Sequence, residues 1–410
     1  MVKKIAALVF IFICTSIAWM ILGATLEVRS SEVDERLGYE VDSLYGPAQH
    51  QVAPLFGYSY KVDTSSYDEK LKRKVKTFRT VSGNLPIERS DIDVDLSLDY
   101  RRKGLLWYST YAVGFDGTYK TKNSTDNKVD LNILFRFPSS NNEYDDFHFY
   151  IDGKEVEKLD WGKEGVGKTV SLGPNEELTF RAVYLSRGKT EWAYKFGDED
   201  IVEVVDFSMT VNTDFKAVDF PEGSISPTSM EDTDSGKKLT WDYEKKISGK
   251  MIAVEMPTKL NPGPLAAKIT FFAPVSLFFF FFIIFIITTL RDIRIHPMNF
   301  FFLASAFFAF HLLFAYLVDH LDVNLSFIIS AAVSVLLVVS YLRLVVGARF
   351  ALVEAGISQI VYLVLFSYSF FFKGYTGLII TITSIITLAI LMQMTGRIDW
   401  DEKFKALPKK

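Results

Sequence analysis

ITFFAPVSLFFFFFIIFIITTL, Ile269–Leu290, is long and apolar enough to decide the class of this protein. At a rise of about 1.5 Å per residue, a helix over this stretch crosses a hydrocarbon core of about 30 Å. Four similar stretches follow it with short polar breaks, so the sequence predicts a bundle of five transmembrane helices. The five are Ile269–Leu290, Met298–Val318, Phe327–Val346, Ala351–Phe372 and Gly377–Met394.

A sixth apolar stretch, Ile5–Gly23, lies at the N-terminus directly after two lysines. It is either a cleaved signal peptide or a retained anchor. The retained anchor is favoured, because the run is longer than the apolar core of most signal peptides. The single cysteine, Cys14, lies within this stretch, so the sequence predicts no intramolecular disulfide and no metal site built on cysteines.

Basic residues in the short loops set the expected orientation. If every apolar stretch crosses the membrane, the Lys- and Arg-rich segments all fall on one side, whereas the opposite short loops carry Asp319, Asp322 and only Lys373. The positive-inside rule then places both termini in the cytoplasm. The basic residues are Lys3, Lys4, Arg291, Arg294, Arg343, Arg349, Arg397, Lys403, Lys405, Lys409 and Lys410.

The long polar region between the first two apolar stretches has the periodicity of β-strands. In VDLNILFRF, residues 129–137, apolar side chains alternate with polar ones, which is typical of a strand with one buried face. Asp116-Gly117 and Asp152-Gly153 predict tight hairpin turns, and a further turn is expected at Arg187-Gly188. Several short strands joined by turns predict an antiparallel sandwich. Helix is expected only at Val33–Leu44 and Ser66–Val75.

The predicted fold is therefore an α+β membrane protein in four parts. A transmembrane anchor (residues 1–23) precedes a large antiparallel β-sandwich domain outside the cytoplasm (24–265). A five-helix transmembrane bundle (266–395) and a cytoplasmic tail (396–410) follow. The net charge of −4 and the lack of a long basic block argue against electrostatic binding of nucleic acid.

A motif for nucleotide binding, GKEGVGKT at Gly162–Thr169, fits the phosphate-loop pattern at every position. Its context does not fit, because a polar hairpin precedes it and Gly173-Pro174 stops any following helix. The expected location outside the cytoplasm also lacks a supply of ATP. The sequence therefore predicts a loop of the β-domain here and no nucleotide.

Candidate catalytic and metal sites are weak. Asp146, His148, Tyr150 and Asp152 share one face of a predicted strand, but simple alternation produces the same pattern on a solvated face. No histidine lies beside a nucleophile motif of the G-x-S-x-G type. We therefore expect no enzymatic activity, no cofactor and no metal.

Ionisable residues within the apolar stretches are functional candidates. His311 lies well inside Met298–Val318 and could relay protons with Glu354, near the start of Ala351–Phe372. The alternative is a neutral histidine that hydrogen-bonds a neighbouring helix. Arg343 and Glu354 lie near the same interface and could pair there. Small residues spaced by four also predict that Met298–Val318 packs on Phe327–Val346: Ser305 with Ala309, and Ser330 with Ser334.

Several segments resemble the CreD family of bacterial inner membrane proteins. They are HPMNFFFLASAFFAFHLLFAYLVDHL (296–321), SYLRLVVGARFALVEAG (340–356), TGRIDW (395–400) and LYGPAQHQVAPLF (44–56), the last with Gly46, Pro47, Gln49 and Pro54. The layout of anchor, large periplasmic domain and C-terminal spans is also similar to the family's. The resemblance implies a cell inner membrane protein of Gram-negative bacteria that is associated with envelope integrity and colicin tolerance. It carries over no catalytic or ligand-binding residue.

Three functions remain after these observations. The first is a non-enzymatic envelope protein whose outer β-domain binds a periplasmic component or another membrane protein. The second is a transporter or flippase that uses the bundle as its pathway, for which charged or broken helices near the midplane are expected. The third is an enzyme acting on an envelope polymer. The first is favoured, since only His311 and Gly356 support the second and no convergent acid, base or metal ligand supports the third.

Overall fold

The structure is a computed structural model that describes residues 2–68, 73–198, 201–372, 374–396 and 398. The chain divides into two compact units. The β-rich unit is Arg36–Lys259, and the membrane unit combines Met1–Glu35 with Leu260–Lys410. The predicted tail, residues 396–410, lies almost entirely outside the described residues, as do the basic side chains from Arg397 onward.

Strands β1–β16 form three sheets in the β-rich unit. An eight-stranded sheet has the order β14-β15-β13-β4-β5-β11-β7-β8, a five-stranded sheet β3-β2-β6-β10-β9, and a three-stranded sheet β1-β12-β16. The strands are β1 (Gln49–Val52), β2 (Leu55–Asp68), β3 (Arg73–Asn84), β4 (Ile87–Lys103), β5 (Leu106–Lys122), β6 (Val129–Phe135), β7 (Tyr144–Ile151), β8 (Lys154–Glu155), β9 (Asp160–Trp161), β10 (Val166–Leu172), β11 (Glu177–Lys189), β12 (Glu191–Lys195), β13 (Val202–Thr213), β14 (Ser229–Asp232), β15 (Lys237–Ser248) and β16 (Ile252–Glu255).

The predicted sandwich is confirmed, with a core between the five- and eight-stranded sheets. In β6 the alternating residues Val129, Leu131, Ile133 and Phe135 are buried, as their period of two predicts. Phe135 meets Phe180 of β11 across the core, with ring centroids 6.0 Å apart. Most pairs are antiparallel, but β4 runs parallel to β13 and β1 runs parallel to β12. The sequence predicted only antiparallel pairs, because these two pairings join strands that are distant along the chain.

The three-stranded sheet joins both ends of the β-rich unit. Strand β1 follows the N-terminal helix and pairs with β12 from Gln49 opposite Trp192 onward. Strand β16 precedes the second helix and pairs with the other edge of β12. Both chain connections to the membrane unit therefore start from strands that share β12.

Turn predictions succeeded at one site and failed at two. Asp152 and Gly153 have φ of 49° and 75° and form the predicted turn between β7 and β8. Asp116-Gly117 instead lies within β5, where a Cβ on Gly117 would come within 2.7 Å of the Phe115 ring. Close packing against an aromatic ring, and not a turn, explains that glycine.

The turn expected at Arg187-Gly188 occurs at Thr190, which has φ of 73°. Strand β11 runs through Gly188, where a Cβ would lie 2.3 Å from the Tyr111 hydroxyl oxygen. The helix expected at Ser66–Val75 was also wrong. Its described residues belong to β2 and β3, which pair with each other, whereas Val33–Leu44 is helical as predicted.

Six helices of the described residues are long and apolar enough to cross a membrane. They confirm the predicted apolar stretches, and the first continues without a break for 44 residues, well beyond Gly23. The six are α1 (Val2–Tyr45), α2 (Pro262–Leu290), α3 (Pro297–Leu317), α4 (Val323–Val345), α5 (Phe350–Phe371) and α6 (Thr376–Thr395).

Candidate functional site

A polar cleft of about 300 Å³ lies in the β-rich unit at the end of α1. Three segments line it: the last turn of α1 with Gly46, the loop between β6 and β7, and the end of β11. Sequence reasoning missed this cleft, because its residues come from three distant parts of the chain. The polar side chains that matter most are Asn141, Asn142, Glu143, Asp145, Ser186 and Arg187.

Gln49 and Asn142 fix the wall of the polar cleft. The fully buried Gln49 donates from Nε2 to Ser186 Oγ at 3.0 Å and to the Arg187 carbonyl at 2.6 Å. Asn142 Nδ2 donates to the same carbonyl at 2.6 Å, and Ser186 donates to the Glu143 carbonyl at 2.8 Å. Gln49 Oε1 is buried and has no hydrogen-bond partner among the described residues. This wall is rigid and contains one unsatisfied acceptor.

Tyr144 holds the loop that forms the opposite side of the polar cleft. Its hydroxyl donates to the Ser139 carbonyl at 2.7 Å and accepts from the Ser139 N–H at 2.9 Å. Burial raises the pKa of Tyr144 to about 12, so the hydroxyl stays protonated and able to donate at neutral pH.

Charged groups in the polar cleft are only partly paired. Asp42 forms an ion pair with Lys189, 2.6 Å away. The exposed side chains of Glu143, Asp145 and Arg187 form no ion pair within the described part of the chain. The polar cleft thus offers two free carboxylates and one free guanidinium to a ligand.

His311 is fully buried in the membrane unit, where it contacts α1. Trp19 Nε1 lies 3.2 Å from His311 Nδ1, and the Phe307 carbonyl lies 2.9 Å from the same nitrogen. Because Nδ1 cannot accept from Trp19 and donate to Phe307 at once, only one of these two contacts is a hydrogen bond in either tautomer. His311 Nε2 has no partner among the described residues. The neighbouring helix that His311 contacts is therefore α1.

The structure does not bring His311 and Glu354 together. Measured along the helix axis, His311 lies about 21 Å from the first residue of α3. Glu354 lies about 6 Å from the first residue of α5. Glu354 forms an ion pair with Arg291 at the end of α2, so the expected pairing with Arg343 was wrong. Arg343 is exposed in the last turn of α4.

Gln359 is a buried intramembrane group that sequence reasoning missed. Its Nε2 donates to Ser334 Oγ at 2.9 Å, and Ser334 donates to the Ala306 carbonyl at 2.7 Å. Gln359 Oε1 has no partner in the described part of the chain. A lone amide in an apolar stretch was the signal that could have revealed it.

Helix α5 is distorted on both sides of Gln359. Six-residue π-helical segments at Phe350–Ala355 and Ile360–Leu365 flank the α-helical turn Gly356–Gln359. Such segments often occur at functional sites. The predicted packing of α3 and α4 is confirmed at the buried pair Ser330 and Ser334, whereas Ser305 is exposed.

The phosphate-loop motif contains no helix. Residues from Val166 onward form β10, which pairs antiparallel with β6, and Lys168 Nζ donates to the Lys158 carbonyl at 2.9 Å. The motif lacks the helix N-terminus that holds a phosphate. Gly162–Gly165 is the turn between β9 and β10, with a hydrogen bond of 2.9 Å joining its ends.

The face proposed for a metal is interrupted. Asp146 has φ of 50° and lies at a bulge where the register between β7 and β11 shifts. His148 pairs with Glu155 of β8 at 2.6 Å. In the described ranges no group of three His, Cys, Asp or Glu residues is arranged to hold a metal ion.

Comparison with known proteins concerns mainly the membrane unit. Residues 229–401 match the family model described as inner membrane protein CreD. This stretch belongs to the CreD family. It contains α2–α6, and with them His311, Glu354 and Gln359, but it does not include the polar cleft. The CreD match and the six apolar helices together make the chain a multi-pass inner membrane protein.

Other comparisons add little. No curated protein matches the chain. Among the solved structures that match is a protein from Legionella pneumophila described as nutrient binding, with 8% identity and a TM-score of 0.31. The alignment covers 57% of this chain and 76% of that one. A likeness at that score supports no argument about this chain.

Proposed function

We propose that this CreD-family chain is a non-enzymatic protein of the cell envelope whose β-rich unit lies outside the cytoplasm and binds an envelope component. The observation that carries the proposal is the polar cleft, where Glu143, Asp145 and Arg187 form no ion pair with any described residue and lie beside a preorganised wall. Charged and polar groups held open in a concave site are typical of ligand binding. A role in envelope integrity follows from the family resemblance.

The geometry around Ser186 supports binding without catalysis. Its hydroxyl donates to the Glu143 backbone carbonyl at 2.8 Å, whereas a catalytic serine donates to a general base. Both acceptor positions of the hydroxyl are used by the amides of Gln49 and Asn142. Ser186 therefore serves to hold the wall of the polar cleft.

A photo-crosslinking amino acid in place of Asn141, in living cells, tests this function. We expect one envelope component to be captured repeatedly, and capture to fall when Arg187→Ala is added. The same crosslinker at Asp126, an exposed loop residue outside the polar cleft, is the control and should capture nothing specific. Equal capture at both positions would count against the proposal.

The transporter or flippase remains the second candidate, because Gln359 in the distorted helix α5 and His311 in α3 each have a buried side-chain atom with no partner among the described residues. Gln359→Leu removes an unpaired carbonyl but also the hydrogen bond to Ser334 Oγ, and because these effects oppose each other stability should change by no more than about 1 kcal/mol. If Gln359→Leu and His311→Ala are stably produced, reproduce the deletion phenotype, and Asn141 captures nothing, transport should replace binding as the function.

A further inference from the structure

The chemistry of the polar cleft indicates what kind of component it takes. We propose that the polar cleft binds a carbohydrate unit of an envelope glycan through hydroxyl groups. This inference rests on the proposed binding function and names the class of its ligand.

The unpaired groups include both donors and acceptors. Arg187 can only donate, the Glu143 and Asp145 carboxylates can only accept, and the Asn141 amide does both. Each hydroxyl of a sugar donates and accepts at the same time. A hydroxyl-rich ligand can therefore satisfy all of these groups without placing a like charge beside any of them.

Charge argues against simple ions as ligands. An anion bound at Arg187 would also face the carboxylates of Glu143 and Asp145, and both would repel it. A cation bound at the two carboxylates would face Arg187 in the same way. A neutral polyol avoids both penalties.

Gln49 holds the wall of the polar cleft in one arrangement. The Arg187 carbonyl can accept only from the Nε2 side of the amide, so the orientation of Gln49 is fixed. Nε2 also donates to Ser186 Oγ, so the polar groups of this wall are positioned before a ligand binds.

The size and rigidity of the polar cleft also fit one or two sugar rings. A volume of about 300 Å³ lies at the lower end of the range for small-molecule sites. The wall and the loop are already held by Gln49, Asn142 and Tyr144. Binding therefore requires little ordering of the protein. The low entropic cost favours binding of a small ligand that buries little apolar surface.

Binding measurements on the full-length protein in lipid nanodiscs test this inference. The probes are N,N′-diacetylchitobiose, an N-acetylglucosamine–N-acetylmuramic acid disaccharide, maltose, inorganic phosphate and a short peptide containing diaminopimelate. We expect saturable binding of at least one saccharide in calorimetry or saturation-transfer experiments. Arg187→Ala and Asp145→Asn should each weaken it by about tenfold, the loss expected for a hydrogen bond to a charged group.

Arg181→Ala is the matched control for Arg187→Ala. Arg181 is also exposed on β11, but it pairs with Asp116 outside the polar cleft. Its loss should leave saccharide binding unchanged. No saccharide binding, binding of phosphate or peptide alone, or saccharide binding insensitive to Arg187→Ala would each overturn the carbohydrate assignment. Specific capture of a non-saccharide component at Asn141 would still support the proposed function.

Discussion

Gly46 shows how one residue connects the membrane helix to the polar cleft. It ends α1 with φ of 85°, and a Cβ there would lie 2.5 Å from the Arg187 carbonyl oxygen and 2.5 Å from Asn142 Oδ1. Both a left-handed backbone and a close approach therefore require glycine. Gly46→Ala should destabilise the β-rich unit by more than about 2 kcal/mol. Urea unfolding followed by tryptophan fluorescence measures this change.

Gly223 offers a matched control for the backbone contribution. It has the same φ of 85°, but a Cβ there meets nothing within 4 Å. Gly223→Ala should therefore cost only the left-handed strain of about 1–2 kcal/mol. Equal losses in the two variants would show that the contacts around Gly46 are not tight.

Asp93 lies on the exposed face of β4 among other carboxylates. Partial burial raises the pKa of Asp93, and Asp91, Asp116 and Asp95 raise it further. A raised pKa means that the folded state favours the protonated form, so this stabilising contribution is lost as pH rises through the folded pKa. At pH 7 the charged Asp93 therefore destabilises the fold.

Asp93→Asn should stabilise the β-rich unit at pH 7, by up to about 0.5 kcal/mol because the site is largely solvated. The gain should disappear as the pH falls below about 4, where the carboxyl is protonated. Asp126→Asn, in an exposed loop away from this cluster, is the control for loss of a surface carboxylate in the same urea unfolding measurements. A gain of equal size at pH 4 and pH 7 would contradict the assigned cause.

At the scale of elements, sequence patterns correctly predicted the features that depend only on residues close together in the chain. The alternation in β6 and the six apolar helices follow from burial of one face or of a whole helix, so both could be read from the sequence. Gly117 and Gly188 were misinterpreted as turns, because the aromatic groups that require them belong to the folded core.

The candidate sites were harder to predict than the elements. His311 was found as the lone ionisable group in its stretch, but its contact with Trp19 depends on how α1 packs. Arg343 was the wrong partner for Glu354 for the same reason. The observed partner, Arg291 at the end of α2, depends on how α2 packs against α5. The polar cleft combines α1, a loop and β11, so no single stretch of sequence carries its pattern.

At the scale of the whole molecule, strand β12 links the two chain connections of the β-rich unit. Strand β1 pairs with one edge of β12 and β16 with the other, so β12 is hydrogen-bonded to both the segment after α1 and the segment before α2. The wall of the polar cleft adjoins this sheet, because Gln49 is the first residue of β1. A ligand bound in the polar cleft would therefore lie close to the strand that follows α1 in the chain.

The polar cleft can bind an envelope component only if the β-rich unit faces the periplasm. The orientation of the chain in the membrane is therefore the prediction that decides whether the proposed function is possible. The basic loops predict that residues 291–296 and the C-terminus are cytoplasmic, whereas the β-rich unit and residues 318–322 are outside. Alkaline phosphatase, which is active only outside the cytoplasm, should be active when inserted at residue 126 or 320. It should be inactive when fused at residue 292 or 410, where green fluorescent protein should fluoresce instead. Phosphatase activity at residue 410 would reverse the topology and place the polar cleft in the cytoplasm, where no envelope glycan could reach it.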